Sequence, residues 1–268
     1  MGTHEQWQQL KVRDTGPRVD ITIARPDRRN SLDFDTWDEL AMVMTDVAAR
    51  DEVRVVTLTG EGASFCAGVD FEWIAKSTQI ELHEYPSFIR RWSGVVDAFE
   101  RVAQPTIAVV NGPAVGGGCE LALACDLRIA SDRAVFAMPQ MRMGVIPDVG
   151  GTSRLAKIAG SALAKDLILT GRVLDAAEAL SFGIVSRVVP HDDLAQVANE
   201  MAEAIASLPW PSGYFASFAI DVGALLDSRR AADLEAIADQ VMFREAEVTR
   251  RIEAFMNSKG LKGIQREP

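Results

Sequence analysis

Residues Pro105–Ser131 read PTIAVVNGPAVGGGCELALACDLRIAS. The run Thr106–Val110 is short and largely apolar with four β-branched residues, which predicts a buried strand. Asn111-Gly112-Pro113 stops it. Three consecutive glycines, Gly116–Gly118, then lead into Glu120–Cys125, which reads as the first turns of a buried helix, and Leu127–Ala130 returns to strand. Bare glycine backbone ahead of a helix lets a ligand approach N–H groups that carry partial positive charge. The stretch fits neither GxGxxG nor GxxxxGK[ST], so the two commonest nucleotide motifs do not apply.

The same alternation extends outward from this stretch. Upstream, Val53–Thr59 is a strand bounded by Gly60 and Gly62, and it leads into a second glycine-bearing strand end, Ser64–Asp70 (SFCAGVD). Val19–Ala24 is a strand, RPDRRNSLD (25–33) a turn, and Phe34, Trp37, Leu40, Ala41, Met44, Val47 and Ala48 form one face of a helix. Ser31, Asp33 and Asp35 are its candidate caps. Residues 77–100 read as a single helix with Phe88, Trp92, Val95, Val96 and Phe99 on one face. Downstream, Ala134–Ala137 and Ile184–Val189 read as strands, Ser161–Leu169 and Asp175–Phe182 as helices. After Pro190 the composition turns to Ala, Glu and Arg, and helices are predicted over 192–207, 213–226 and 230–257. This is an α/β core, residues 1–198, followed by a helical region, residues 199–268.

A chain of 268 residues can bury about 75% of its unfolded surface, so it needs no disulfide or metal staple. The net charge of −10 argues against nucleic acid or an anionic membrane as partner. Cys66, Cys119 and Cys125 are odd in number and form no CxxC, which points to reduced thiols in a cytoplasmic protein. The polar start MGTHEQWQQLKVRD has no signal-peptide core, and Gln6 breaks the myristoylation pattern. Ala204–Leu226 is interrupted by Pro209, Pro211 and Asp221 and does not suit a membrane span. His4, His83 and His191 are scattered, so a zinc site or a Ser-His-Asp triad is disfavoured and acid–base chemistry falls to carboxylates.

Five segments together resemble the crotonase superfamily, the enoyl-CoA hydratase/isomerase family. They are ITIARPDRRNSLD (21–33), VRVVTLTGEGASFCAGVDF (53–71), the opening stretch, FAMPQMRMGVIPDVGGTSRL (136–155) and LTGRVLDAAEALSFGIVSRVVP (169–190), in family order and spacing. The resemblance implies a spiral of ββα units making two nearly perpendicular sheets, then a C-terminal helical trimerisation region. It implies an acyl-CoA thioester substrate, no further cofactor, no metal, and a homotrimer or dimer of trimers.

The resemblance also carries over residue by residue. The N–H groups of Val69 and Gly117 match the pair that holds the thioester oxygen as an oxyanion, and Glu120 matches one catalytic carboxylate of the hydratases. The second hydratase glutamate is replaced by Gln140, which cannot exchange a proton at neutral pH. Asp148 stands where typical hydratases have glycine and some other members carry a working aspartate; its alternative role is to cap the helix starting near Gly150 or Gly151. Arg25, Arg28 and Arg29 are candidates for the CoA phosphates. Cys66, Ala67 and Val69 are expected at the adenine pocket through their backbones, with Asp70 beside them. Glu72 stands where common hydratases carry a contacting lysine. Phe255 matches an aromatic that reaches a neighbouring subunit's ligand, and Lys259 replaces the following lysine only after a one-residue slip past Ser258. Phe71, Trp73, Phe88 and Trp92 are candidates for an acyl wall.

The residues leave several activities open. Hydration stands first, on overall likeness. The loss of a second glutamate suits a double-bond isomerase using Glu120 alone, and it also suits a non-catalytic acyl-CoA-binding protein. Dehalogenation through Asp148 lacks the surrounding aromatic pattern.

Overall fold

A computed structural model describes residues 7–210 and 212–257. His4, Pro211, Ser258 and Lys259 lie outside the described residues. Among the described residues nine strands follow in chain order: β1 (Leu10–Asp14), β2 (Arg18–Ile23), β3 (Val55–Gly60), β4 (Thr106–Val110), β5 (Ala114–Val115), β6 (Leu127–Ser131), β7 (Val135–Ala137), β8 (Val173–Asp175) and β9 (Arg187–Val189). They form a six-stranded sheet of order β1-β2-β3-β4-β6-β9 and a three-stranded sheet of order β5-β7-β8. Only β1 runs antiparallel in the large sheet, against β2.

The large sheet is covered on both faces, and its strands alternate accordingly. Val19, Ile21, Ile23, Val56, Leu58, Ala108, Val110 and Ala130 point into the main core with Trp37, Trp92 and Phe99. Val55, Ile107, Val109 and Ile129 point the other way, onto Leu194, Ala198 and Ala202 of the helix Leu194–Ala206. That packing moves the domain boundary. The division expected after residue 198 falls inside this helix, and the compact unit runs to Ala206, with Ser207–Pro268 as the second.

Three other expectations change. Residues 77–100 are not one helix: Phe71–Ser77 and Tyr85–Arg101 are separate, with Pro86 in the first turn of the second, where its missing N–H costs no bond. Residues 230–257 also divide, into Ser228–Met242 and Ala246–Asn257. Asp33 alone of the three candidates caps the helix Phe34–Ala48, accepting from Thr36 N–H at 2.8 Å.

Two buried asparagines brace the turn after β3. Asn111 Nδ2 donates to the carbonyls of Gly60 (2.9 Å) and Gly62 (2.8 Å). Asn30 Nδ2 donates to those of Glu61 (2.9 Å) and Ser64 (2.7 Å), while its Oδ1 accepts from Arg25 N–H at 3.0 Å. Asn30 is fully buried and left-handed at φ 58°, a conformation asparagine tolerates better than most residues. Asn30→Ala should therefore lower stability by about 2–4 kcal/mol, from three lost hydrogen bonds and a strained backbone. Urea unfolding measures this, and a loss below 0.5 kcal/mol, roughly the spread of neutral surface changes, would contradict it.

Candidate active site

The two glycine-bearing strand ends meet. Cys66 pairs with Ala114 and Leu32 with Val69 as isolated parallel bridges. Leu32 N–H donates to Gly68 O (2.8 Å), and Leu32 O accepts from Asp70 N–H (2.9 Å). In such a bridge the middle residue, Val69, turns its own N–H away from Leu32. The Val69 nitrogen lies beside Gly117, where a Cβ would stand 3.6 Å from it. Gly117 opens the helix Gly117–Ala124, so its N–H has no partner within the helix. Among the described residues neither N–H meets an acceptor. Gly68 permits the approach: its φ is +95°, and a Cβ there would lie 2.7 Å from Val115 O.

Glu120 sits one turn into the same helix and is 2% exposed. Its Oε1 accepts from Val149 N–H (3.1 Å) and Gly151 N–H (2.9 Å), and its Oε2 from Gln140 Nε2 (3.0 Å). Burial raises its pKa to about 7, assisted by the charge of Asp148 and opposed by these donors. Gln140 is itself buried, and its Oε1 has no partner.

Asp148 does not cap the following helix. Gly150 is the N-cap of Gly151–Ala159, without a side-chain bond. Asp148 Oδ2 instead accepts from the Tyr85 hydroxyl at 3.2 Å. Partial desolvation raises the Asp148 pKa against the lowering effect of that bond, and burial likewise raises that of Tyr85. From Tyr85 the rings continue inward: Phe88 at 6.3 Å, then Trp73 at 5.2 Å and Trp92 at 5.9 Å from Phe88.

A family model described as "Enoyl-CoA hydratase/isomerase" matches residues 18–259. The chain belongs to this family. It is 35% identical to the short-chain-enoyl-CoA hydratase of Clostridium acetobutylicum over 246 residues, 91% of this chain and 93% of that one. It resembles the solved enoyl-CoA hydratase of Bacillus anthracis with a TM-score of 0.86 at 33% identity, covering 94% of this chain and 97% of that one. A Thermobifida fusca YX structure in complex with acetoacetyl-CoA aligns with a TM-score of 0.82 at 28% identity, over 90% of this chain and 98% of that one. The crotonase-type α/β fold and an enzyme of the hydratase/isomerase type follow from these matches.

Several residues expected at the family's ligand site also make local bonds. Asp70 caps the helix Phe71–Ser77, accepting from Glu72 N–H (3.1 Å) and from the Ser31 hydroxyl (3.0 Å). Arg25 is committed to Asp33 (2.7 Å) and Asp70 (3.6 Å). The Cys66 N–H and carbonyl bond Pro113 and Val115, and Ala67 N–H bonds Arg29 O. The Cys66 thiol is buried and pushed up to about 12. Arg28 and Arg29 are exposed, with no ion pair among the described residues. Phe71 is 86% exposed and stands apart from the buried rings. Phe255 lies in the second compact unit, beside a groove of about 640 Å³ lined by Leu208, Met242, Phe243 and Ile252. Among the described residues no His/Cys/Asp/Glu cluster could hold a metal. No described helix is long and apolar enough to cross a membrane.

Sequence reading missed Tyr85. The signal was present: Tyr85 lies three residues before Phe88, on the apolar face already recognised.

The raised pKa of Glu120 links pH to stability. The native state binds the proton more tightly than the unfolded chain, for which the ordinary value is 4.5. The contribution is present below about 4.5 and is lost as pH rises through about 7. It amounts to about 3 kcal/mol. Glu120→Gln should flatten the decline in unfolding free energy across this window. An unchanged pH slope would contradict the buried carboxyl described here.

Proposed function

We propose that this enzyme hydrates the double bond of an enoyl-CoA thioester. The observation that carries the reading is Glu120, buried with a pKa of about 7. It lies one helical turn from the unpartnered N–H of Gly117, whose backbone lies beside the Val69 nitrogen. These two N–H groups form an oxyanion hole for the thioester oxygen. They polarise the conjugated double bond and hold the enolate that develops, each worth about 2.7–4 kcal/mol in the transition state.

Ionised Glu120 takes a proton from water as the water oxygen bonds C3. The π electrons move to the thioester oxygen. Protonated Glu120 then returns its proton to C2 as the enolate collapses, and the sum is addition of one water. Gln140 holds Glu120 through Nε2, and its unpaired Oε1 accepts the second O–H of the water. Asp148, held by Tyr85, is the second carboxyl of the site and favours the protonated state of Glu120 by like-charge repulsion. Trp73, Phe88 and Trp92 wall the acyl chain, and Arg28 and Arg29 meet the CoA phosphates. Salt screens these exposed arginines, so their contribution falls as ionic strength rises.

Exposed Ile220, Leu225, Ile237 and Phe243 on the second unit support assembly into a trimer or a dimer of trimers. The free, buried cysteines Cys66, Cys119 and Cys125 fit a cytoplasmic enzyme.

Incubation with a panel of enoyl-CoA thioesters, followed by product mass, tests the reaction. A gain of one water is expected; products of unchanged mass but shifted double bond would replace hydration by isomerisation. Glu120→Gln should lower turnover by about 10²–10⁴-fold with little change in acyl-CoA affinity. Asp148→Asn keeps shape but not charge, and should shift the pH–rate inflection below about 7. Full activity in Glu120→Gln would refute the mechanism.

A further inference from the structure

Glu120 is held by a loop that is itself held from a distance. Val149 and Gly151, either side of Gly150, present their N–H groups to Oε1. Arg154, 7% exposed, reaches back along the helix Gly151–Ala159 and donates Nη1 to Val149 O at 2.9 Å. The residue whose N–H meets Glu120 thus has its carbonyl gripped by a guanidinium. Arg154 Nε and Nη2 donate to Glu100 Oε2 at 3.0 and 2.6 Å, and Nη2 to Asp97 Oδ1 at 2.6 Å. Asp97 and Glu100 lie on the helix Tyr85–Arg101, which also carries Tyr85 to Asp148. One helix therefore holds Asp148 directly and Val149 through Arg154.

We propose that Arg154, clamped by Asp97 and Glu100, is a positioning residue that fixes the two N–H donors on Glu120 and so sets its proton affinity. The inference rests on the proposed role of Glu120 as the proton-exchanging group. A simple staple would not need this chemistry. A buried arginine with two acidic partners costs desolvation, and an apolar residue of similar volume would fill the space more cheaply. A planar guanidinium alone can bind two carboxylates and a carbonyl in fixed directions at once.

Its charge is not the agent. Arg154 faces Asp97 and Glu100, and Arg101 stands 3.9 Å from Asp97, so the positive charge is matched locally. The charged group that bears on Glu120 is Asp148, with Tyr85 behind it and neutral Gln140 opposite. What Arg154 supplies is direction. Donors aimed at an ionised carboxylate lower its proton affinity, and donors that wander do not.

The test reads the Glu120 carboxyl directly, by carbon-13 NMR of the glutamate-labelled full chain, with Glu120→Gln assigning the signal. Arg154→Lys keeps the charge but cannot make all the bonds. Its titration should move upward from about 7, by about tenfold in proton affinity. The pH–rate inflection should move with it, and KM should change less than kcat. Glu100→Asp keeps the charge balance but shortens the reach to Arg154, and should give a smaller shift in the same direction, a readout that survives if Arg154→Lys does not fold. A lowered melting temperature with Glu120 titrating at its original position would overturn the proposal. An upward shift in a protein whose turnover ignores Glu120→Gln would uphold the clamp and remove the hydration mechanism instead.

Discussion

A carboxylate taken out of water must be given hydrogen bonds or a proton, and Glu120 is given some of each. Its three donors come from Gln140 and from both sides of Gly150, while the residue itself rides on the helix that follows the triple glycine. The β4–helix connection, the turn at Pro139–Met143 and the start of the helix Gly151–Ala159 must therefore converge within hydrogen-bond distance. Gly151 shows how close this convergence is: a Cβ there would stand 2.7 Å from Glu120 Oε1. The burial of one side chain thus constrains three separate segments of the chain.

Glutamine at position 140 changes the electrostatics of this convergence. Two carboxylates about 3 Å apart cannot both ionise, so a glutamate there would share a proton with Glu120. The amide donates instead, which favours the ionised form of Glu120. Asp148 acts in the opposite sense from the other side. The site has lost a proton carrier without losing polarity, since the Gln140 carbonyl oxygen remains buried and unpaired.

The strand–glycine–helix rhythm was legible because buried parallel strands are apolar runs that glycine and proline terminate sharply. Val55–Gly60, Thr106–Val110 and Leu127–Ser131 lie where composition puts them. The strands Leu10–Asp14, Ala114–Val115 and Val173–Asp175 were not legible, being edge-like or two to three residues long and set by pairing rather than propensity. The break between Ser77 and Tyr85 was hidden by apolar residues that keep helical spacing on both sides. In the site, Glu120 was marked by its place after the glycines. The fate of Asp70 and Asp148 was not, because an aspartate before a glycine or a helix reads equally as cap or functional acid. Only the position of the helix start decides: at Phe71 it captures Asp70, and at Gly151 it leaves Asp148 free for Tyr85.

In the proposed reaction the same group must first take a proton and then give it back, which limits where its pKa can lie. A strong acid would not accept the proton from water, and a strong base would not release it to C2. Full burial without donors would push Glu120 too high, and exposure would leave it near its ordinary value. Three hydrogen bonds inside a buried site bring it to about 7, between those extremes. Two of the three come from the first residue of a helix and from Val149, two residues before it, where the backbone also supplies partial positive charge. The proton affinity of the site is therefore a property of how the helix Gly151–Ala159 begins, and the hydrogen bonds that fix that beginning belong to the chemistry as much as Glu120 does.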